Sequence, residues 1–548
     1  MRLDRLGSAH QTRLSFMRVL LRQLRRGDWR FDRPVWDIDA RGVGRAVYRA
    51  IGPDHTYSLV AFAHDLPDHL RSDRVIAEAW DATFALFDGT PGTADLDRLE
   101  AEVPRQEAGR VSDTELVLSR ANRSTRLWAH VIDKLAQGQQ PDAARIADVG
   151  YLMRTTAVYG SGKFGAADRA VLTDRPVMDG PFRAEMLAVW LIRSFSLDLV
   201  EHMARALGGD RAAVLDPDLR RRFGIGNSTG LGMAPFLVNH PRLLHAWIAS
   251  RETALGRVRA LPHADDVAQA VFRDRLDRTT TGLDDWQTSH PVQLARLGDL
   301  RSDTAHLTAH VETGALDGPQ PWDRLWRWAE ATLTTEGQEL TLSLMLEPHG
   351  DVIDDLADDM GCDEEACFAI DGGQSVATAR AALADRYGWA LGMDFGDKDR
   401  CARFWYVSEA KLEPRLGERH DEPGADLELP LDIARAAVAM AEELARWPGD
   451  ATLAEVLLAS PEHRRMARRL QVAAEAPYSE IRDNLIDAAT LPIDMLRCKL
   501  AFFGATRFDP RSDRWVRITM YQNAPFPDDL HLAPEDDWTC PDLSRPAA

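Results

Sequence analysis

Residues 182–207 read FRAEMLAVWLIRSFSLDLVEHMARAL. Apolar side chains recur here at helical spacing, and they are dense enough to predict a helix buried at the centre of a domain. Beyond Asp113 the apolar pattern keeps this period, and it predicts further helices at 116–135, 233–261, 267–276, 291–311 and 322–346. The middle of the chain is therefore predicted to be helical.

Alternating apolar runs flank this region. Residues 46–51 and 57–62 surround Gly52-Pro53-Asp54, which is typical of a β-hairpin. Further strands are predicted at 83–87 and 403–407, and a second hairpin is predicted from the runs 500–508 and 515–521. The predicted fold class is mainly α (α+β overall), a central helical core flanked by small units that contain β-hairpins. The predicted domains are an α+β unit at 1–112, a helical domain at 113–346, an α+β unit at 347–525 and a loosely held acidic tail at 526–548.

Composition narrows the class of protein. The 548 residues are 45% hydrophobic and 28% charged, as in ordinary soluble proteins. A formal charge of −20 argues against a nucleic-acid partner, since phosphate backbones require a concentrated basic surface. No apolar run approaches the ~20 residues that cross a bilayer, which argues against integral membrane association. Five scattered cysteines favour a reducing compartment, so the expected location is the cytoplasm.

An arginine-rich amphipathic segment lies near residue 20. Leu14, Met17, Leu20, Leu21 and Leu24 share one helical face, and arginines at 13, 18, 22, 25 and 26 lie between them. We expect the leucine face to pack and the arginines to be solvated.

The glycine-rich segment 224–232 reads GIGNSTGLG and is the first candidate site. It is interpreted as a loop that leads into a helix near Met233, where backbone N–H groups attract a carboxylate or phosphate. The predicted substrate-binding residues are Gly224, Gly226, Asn227, Ser228, Thr229, Gly230, Gly232 and, from a second segment, Arg415. The alternative is a structural connection with a capping hydroxyl.

A second glycine-rich break, YGSGKFG at 159–165, surrounds one of only five lysines in the chain. Lys163 could pair with an anion or act as a base, so Lys163, Tyr159 and His240 are the predicted catalytic residues. The segment lacks the glycine spacing and hydroxyl residue of an ATP-binding P-loop. Its alternative is a helix C-cap with a solvated lysine.

Two further clusters carry weaker signals. Arg415 follows an aromatic strand and could orient a substrate carboxylate, although a surface ion-pair network is the alternative. Residues 64–69 and 347–351 combine histidine with carboxylates but lack spacing specific for a metal, so no metal site is predicted.

These patterns favour a cytoplasmic enzyme of small-molecule metabolism that binds an anionic substrate or cofactor, with lyase or isomerase acid–base chemistry as the preferred reaction class. A non-catalytic helical scaffold or regulatory protein is one alternative. Another is a serine hydrolase, because Gly226-Asn227-Ser228-Thr229-Gly230 matches the Gly-x-Ser-x-Gly spacing around Ser228. The residues identify no cofactor and leave a homo-oligomer open.

Overall fold

The computed structural model describes residues 10–70, 79–105, 112–156, 165–166, 174–229, 241–286, 289, 291–360, 369–397, 405–408, 413–416, 429–476, 501, 503–505, 507–512, 515–532 and 535–539.

The strands in these ranges are, in chain order, β1 (Arg30–Ile38), β2 (Gly44–Ile51), β3 (Thr56–Ala63), β4 (Ala82–Asp88), β5 (Glu115–Arg123), β6 (Tyr151–Thr155), β7 (Gly165–Ala166), β8 (Gly224–Thr229), β9 (Trp405–Ser408), β10 (Glu413–Leu416), β11 (Arg507–Ser512) and β12 (Trp515–Met520). The α-helices are α1 (Phe16–Arg26), α2 (Thr93–Glu102), α3 (Trp128–Ala136), α4 (Ala143–Val149), α5 (Arg183–Gly208), α6 (Pro217–Arg222), α7 (Pro241–Arg259), α8 (Asp266–Asp285), α9 (Pro291–Glu312), α10 (Pro321–Thr332), α11 (Thr335–Leu346), α12 (Gly350–Ile353), α13 (Leu356–Asp359), α14 (Val376–Leu391), α15 (Leu429–Ala445), α16 (Leu453–Ala459) and α17 (Arg464–Glu475). Short 3-10 helices lie at Asp68–Leu70, Val103–Arg105, Gly209–Arg211, Glu347–His349, Pro461–His463 and Asp537–Thr539.

The chain divides into two units. The sheet unit comprises residues 5–229, 254–357 and 497–548, and the helical unit comprises residues 1–4, 230–253 and 358–496. Within the helical unit, α14 packs against α15 and α17, and β9 pairs with β10 in an antiparallel hairpin. The predicted strand at 403–407 is confirmed by β9.

A ten-stranded sheet organises the sheet unit. Its order is β1-β2-β3-β4-β5-β6-β8-β12-β11, and β7 pairs with β5. Every pair is antiparallel except β6 with β8, which are parallel. The predicted hairpin at 46–62 is confirmed as β2–β3, and the strand at 83–87 is confirmed as β4. The second predicted hairpin is confirmed only in its second strand, β12, because β11 spans Arg507–Ser512 and lies mostly in the predicted turn rather than in the run 500–508.

Different helices pack against the two faces of the sheet. Helix α5 lies against one face, where Phe195 meets Phe84 edge-on at 5.4 Å between ring centroids. Residues 184–197 of α5 are all buried, so the predicted central helix is confirmed. On the opposite face α2 packs Leu96 and Leu99 into an apolar cluster with β2 to β5.

The prediction of a mainly α fold with peripheral hairpins is wrong, because one sheet joins strands from residue 30 to residue 520. Residues 115–123 form β5 rather than the first half of a helix. Leu116 and Leu118 fit a period of two as well as a helix, and β5 is buried on both faces, so its sequence ELVLSRANR shows no alternation of apolar and polar residues that would reveal the strand.

Three of the five arginines predicted to be solvated, Arg13, Arg18 and Arg22, are buried instead. Arg18 is fully buried, and its guanidinium forms a bidentate pair with Glu347, with 2.8 Å between Nη2 and Oε2. Arg22 donates to Asp536 at 2.8 Å, and Arg13 donates to Asp354 at 2.7 Å. The leucine face of α1 is buried as predicted. We use the name ion cluster for Arg13, Arg18, Arg22, Glu347, Asp354 and Asp536.

The expectation of a loosely held acidic tail at 526–548 is wrong for residues 535–539, which are packed against the rest of the sheet unit through Asp536. Asp536 is 5% exposed and contacts Arg13, Arg18 and Arg22. A buried carboxylate is stable only beside compensating charge, which these guanidinium groups provide.

The ion cluster makes stability sensitive to acid. Burial alone would raise the pKa of Asp354, but the hydrogen bond from Arg13 and the charge of Arg22 lower it to about 2. Because the folded-state pKa lies below that of the unfolded chain, this contribution is complete above about pH 4 and is lost as the pH falls toward 2.

We therefore expect the Asp354→Asn variant to be less stable than the wild type in urea at pH 7, with the difference shrinking below about pH 4 as Asp354 becomes protonated. Asp351→Asn, which changes an exposed carboxylate nearby, should leave the pH dependence unchanged. A constant difference between Asp354→Asn and wild type across this acidic range would contradict this account.

Candidate functional site

The first candidate segment is not a loop. Gly224–Thr229 forms β8, which lies between β6 and β12 in the sheet. The prediction of exposed backbone amides is therefore wrong for residues 224–229, since an interior strand has its backbone groups turned to its neighbours. Gly230 and Gly232 lie outside the described residues.

Glycine suits this strand because neighbouring groups come close. A Cβ atom at Gly224 would lie 2.4 Å from the backbone oxygen of Met520. Sequence reasoning assigns the segment to a loop because glycines and polar residues replace the apolar pattern of an ordinary strand.

Strand alternation separates the predicted binding residues. Successive side chains point to opposite faces, so Gly226 and position 228 share one face while Ile225 and Asn227 share the other. Asn227 is 1% exposed, and its Nδ2 donates to the backbone oxygen of Thr155 at 2.8 Å. Asn227 thus links β8 to β6 from the face that α5 covers.

Three arginines share the face that holds Gly226. The register pairs Asn122 of β5 with Arg154 of β6, Arg154 with Gly226, and Gly226 with Thr519 of β12. In the next row the backbone N–H of Thr156 donates to the backbone oxygen of Arg120, the backbone N–H of Arg120 donates to Thr156 Oγ1, and Ser228 pairs with Arg517. Directly paired residues point to the same face. We name this surface the arginine face; it comprises Arg120, Asn122, Tyr151, Arg154, Gly226, Arg517 and Thr519.

Tyr151 and Arg154 pack directly over Gly226. A Cβ atom at Gly226 would lie 2.8 Å from Cγ of Arg154 and 2.9 Å from the ring of Tyr151. Glycine therefore lets both side chains lie flat on β8. Tyr151 is 2% exposed, and its hydroxyl has no hydrogen-bond partner among the residues that the structure describes. A buried hydroxyl without a partner costs about 1–3 kcal/mol, which marks it as a group that a ligand could satisfy.

The arginines of this face differ in their exposure and in the side chains around them. Arg154 is 6% exposed, and Arg120 lies with its guanidinium 5.3 Å from the ring centre of Trp80. Guanidinium groups are planar and present forked donors that match carboxylate and phosphate oxygens. Together with a phenol they form a donor set suited to an anion.

The other predicted site residues fall elsewhere. Lys163, Tyr159 and His240 lie outside the described residues, and their catalytic role stays a prediction. Arg415 lies in β10 of the helical unit, opposite Tyr406, and its side chain is not described.

The histidine and carboxylate clusters have structural partners. Glu347 binds Arg18, and His64 shares a 2.9 Å hydrogen bond with Thr83 Oγ1. Within the described ranges, no group of three or more His, Cys, Asp or Glu residues is arranged to hold a metal ion.

Sequence reasoning missed Tyr151, Arg154 and Arg120. The available signal was the position of charged residues inside short apolar runs, as in YLMRT at 151–155. An arginine within a buried strand requires compensation, which makes it a site candidate once the strand is recognised.

Comparisons with family models, with curated proteins and with solved structures find no match for this chain. No helix in the described part of the chain is long and apolar enough to cross a membrane.

Proposed function

We propose that the arginine face binds an anionic small molecule of the carboxylate or phosphate class, and that the chain is a cytoplasmic protein of small-molecule metabolism. The observation that carries the proposal is that Arg154 and Tyr151 both pack over Gly226, and that the Tyr151 hydroxyl has no hydrogen-bond partner among the described residues. The ligand is the one expected from the glycine-rich segment, but side chains rather than backbone amides of residues 224–229 bind it.

The chemistry of the face favours an anion. Tyr151 can donate one hydrogen bond beside the positive charge of Arg154, and hydrogen bonds to a charged acceptor are stronger than neutral ones. Low exposure of both side chains strengthens these interactions, since a buried ion is less screened than one in water. Arg120 and Arg517 flank the pair and add positive charge to the same face.

Two alternatives bear on this proposal. The serine hydrolase requires Ser228 at a sharp turn between strand and helix, whereas Ser228 lies inside β8. The scaffold predicts no anion binding, so a titration with anions separates it from the proposal. Lyase or isomerase chemistry by Lys163, Tyr159 and His240 remains a prediction.

We expect inorganic phosphate or malonate to raise the melting temperature of the wild-type protein more than chloride does at equal ionic strength, since a ligand that binds only the folded state stabilises it. Thermal unfolding with increasing anion concentration measures the effect. Equal responses to phosphate, malonate and chloride would overturn the proposal and favour the scaffold.

The Tyr151→Phe variant gives the sharper test. It removes only a buried hydroxyl, so the apo protein should keep its stability while phosphate or malonate affinity falls about tenfold or more, as expected for one hydrogen bond to a charged group. Isothermal titration measures both affinities.

Arg154→Met should weaken binding in the same way. The control is Arg49→Met, which removes a guanidinium that is paired with Asp32 on the β1–β2 part of the same sheet. Unchanged affinity in both Tyr151→Phe and Arg154→Met would place any anion site elsewhere on the chain.

A further inference from the structure

A cavity of about 460 Å³ lies where β1 begins, away from the arginine face. Its lining comprises Asp28, Arg30, Ile51, Gly52, Pro53 and His531. Its size falls within the roughly 300–1,000 Å³ of small-molecule sites. Its walls combine a carboxylate, a guanidinium and an imidazole with two apolar side chains.

Trp29 lies in sequence between two residues of the lining and packs beneath a third, Gly52. This side chain is 2% exposed and stacks on Tyr57, with 6.0 Å between ring centroids and 10° between planes. A Cβ atom at Gly52 would lie 2.5 Å from Cζ2 of Trp29, so only glycine lets the β2–β3 turn rest on the indole. The turn that contributes Gly52 and Pro53 to the lining therefore packs directly on a buried aromatic ring.

Trp29 is buried between the two charged residues of the lining. Its neighbours Asp28, in the turn before β1, and Arg30, the first residue of β1, both line the cavity. Asp28 has a φ of 51°, a left-handed conformation that aspartate and asparagine tolerate better than most residues. His531 Nε2 donates to the backbone oxygen of Trp29 at 2.7 Å, which fixes the imidazole at the rim.

Asp28 and Arg30 differ from the charged residues around them. Arg33 pairs with Asp198 and Arg49 pairs with Asp32. Neither Asp28 nor Arg30 has an ion-pair partner among the residues that the structure describes. A carboxylate and a guanidinium two residues apart therefore face the same cavity with their charges uncompensated by a neighbouring side chain.

We propose that this cavity binds a small zwitterion, an α-amino acid with an apolar side chain. Arg30 receives the carboxylate, Asp28 receives the ammonium group, and Ile51 with Pro53 contacts the side chain. Opposite charges on one small ligand match opposite charges on the cavity wall, which a simple anion or cation cannot do. The proposal is independent of ligand binding at the arginine face.

The test compares L-leucine with its two half-ligands, 4-methylpentanoate, which lacks the ammonium group, and 3-methylbutylamine, which lacks the carboxylate. Isothermal titration of the full chain should show leucine binding about tenfold or more tighter than either, since each half-ligand leaves one charge of the wall unsatisfied. Absence of leucine binding, or equal binding of all three, overturns the proposal.

Variants then locate the site. Arg30→Gln should weaken leucine and 4-methylpentanoate, and Asp28→Asn should weaken leucine and 3-methylbutylamine, each by about tenfold. Both positions are exposed, and asparagine keeps the left-handed conformation at 28, so the fold is preserved. Arg49→Gln is the matched control and should leave leucine affinity unchanged. Wild-type leucine affinity in both Asp28→Asn and Arg30→Gln would also overturn the assignment.

Discussion

Replacing Arg18 with methionine is expected to lower the free energy of unfolding by about 3–5 kcal/mol, because it leaves Glu347 buried without its main counter-charge. Burial alone would raise the pKa of Glu347, but the charge and hydrogen bonds of Arg18 hold it well below its usual range. Glu347 is therefore ionised in the folded protein, and losing Arg18 leaves this buried charge without its main counter-ion. Urea unfolding at pH 7 measures the change.

Arg26→Met is the matched control, since it makes the same substitution two turns further along α1. Arg26 also pairs with Asp354, but its side chain is 55% exposed. Exposed ion pairs contribute about 0–1 kcal/mol. A larger loss for Arg26→Met than for Arg18→Met would contradict the assignment of the buried pair.

A double variant distinguishes the destabilisation caused by the uncompensated charge of Glu347 from that caused by lost packing. Adding Glu347→Leu to Arg18→Met removes the uncompensated carboxylate, so part of the lost stability should return. If the two losses simply add, Arg18 does not act through Glu347.

Replacing Gly226 with alanine is the second change with a large expected effect. The new methyl group would overlap Cγ of Arg154 and the ring of Tyr151, and both would have to move away from β8. Overpacking of this kind costs about 1–3 kcal/mol. The same displacement should weaken phosphate or malonate binding, because it moves the donors of the proposed site.

The matched control, Gly298→Ala, should change the free energy of unfolding in the opposite direction. Gly298 lies exposed within α9, and a methyl group added there would have open space around it, so alanine should stabilise the helix by about 0.5–1 kcal/mol. Unfolding and titration of both variants give the comparison. Equal stability of Gly226→Ala and wild type would mean that the close packing over β8 is absent in solution.

Local signals account for the parts of the fold that could be predicted. Helix α5 is marked by 26 residues of continuous helical spacing, and the β2–β3 hairpin by its turn residues. Each signal lies within a short stretch of sequence, so periodicity and turn chemistry are sufficient.

The central strands could not be predicted in this way. β6 and β8 are short, and residues 151–155 and 224–227 are buried. β8 pairs with β12, which lies about 290 residues further along the chain. Neither YLMRT nor GIGNST alternates between apolar and polar residues, and nothing local in GIGNST distinguishes an interior strand from a loop. Without that pairing, the shared face of Tyr151, Arg154 and Gly226 cannot be found.

The arginines of α1 illustrate a different limit. Spacing separates the leucines from the arginines, but it does not say whether the polar side meets water or carboxylates. The partner of Arg18 is 329 residues away in sequence, at Glu347. Only the tertiary structure shows that Arg18 and Arg22, on the face predicted to be solvated, are buried.

The ion cluster also has a consequence for synthesis on the ribosome. Arg22 and Asp536 are 514 positions apart, so α1 emerges long before its carboxylate partner exists. At ~5–20 residues per second, the interval is about half a minute to two minutes. During that time Arg18 can meet Glu347 and Arg13 can meet Asp354, but Arg22 has no Asp536 to bind, so the ion cluster is completed only after translation reaches residue 536.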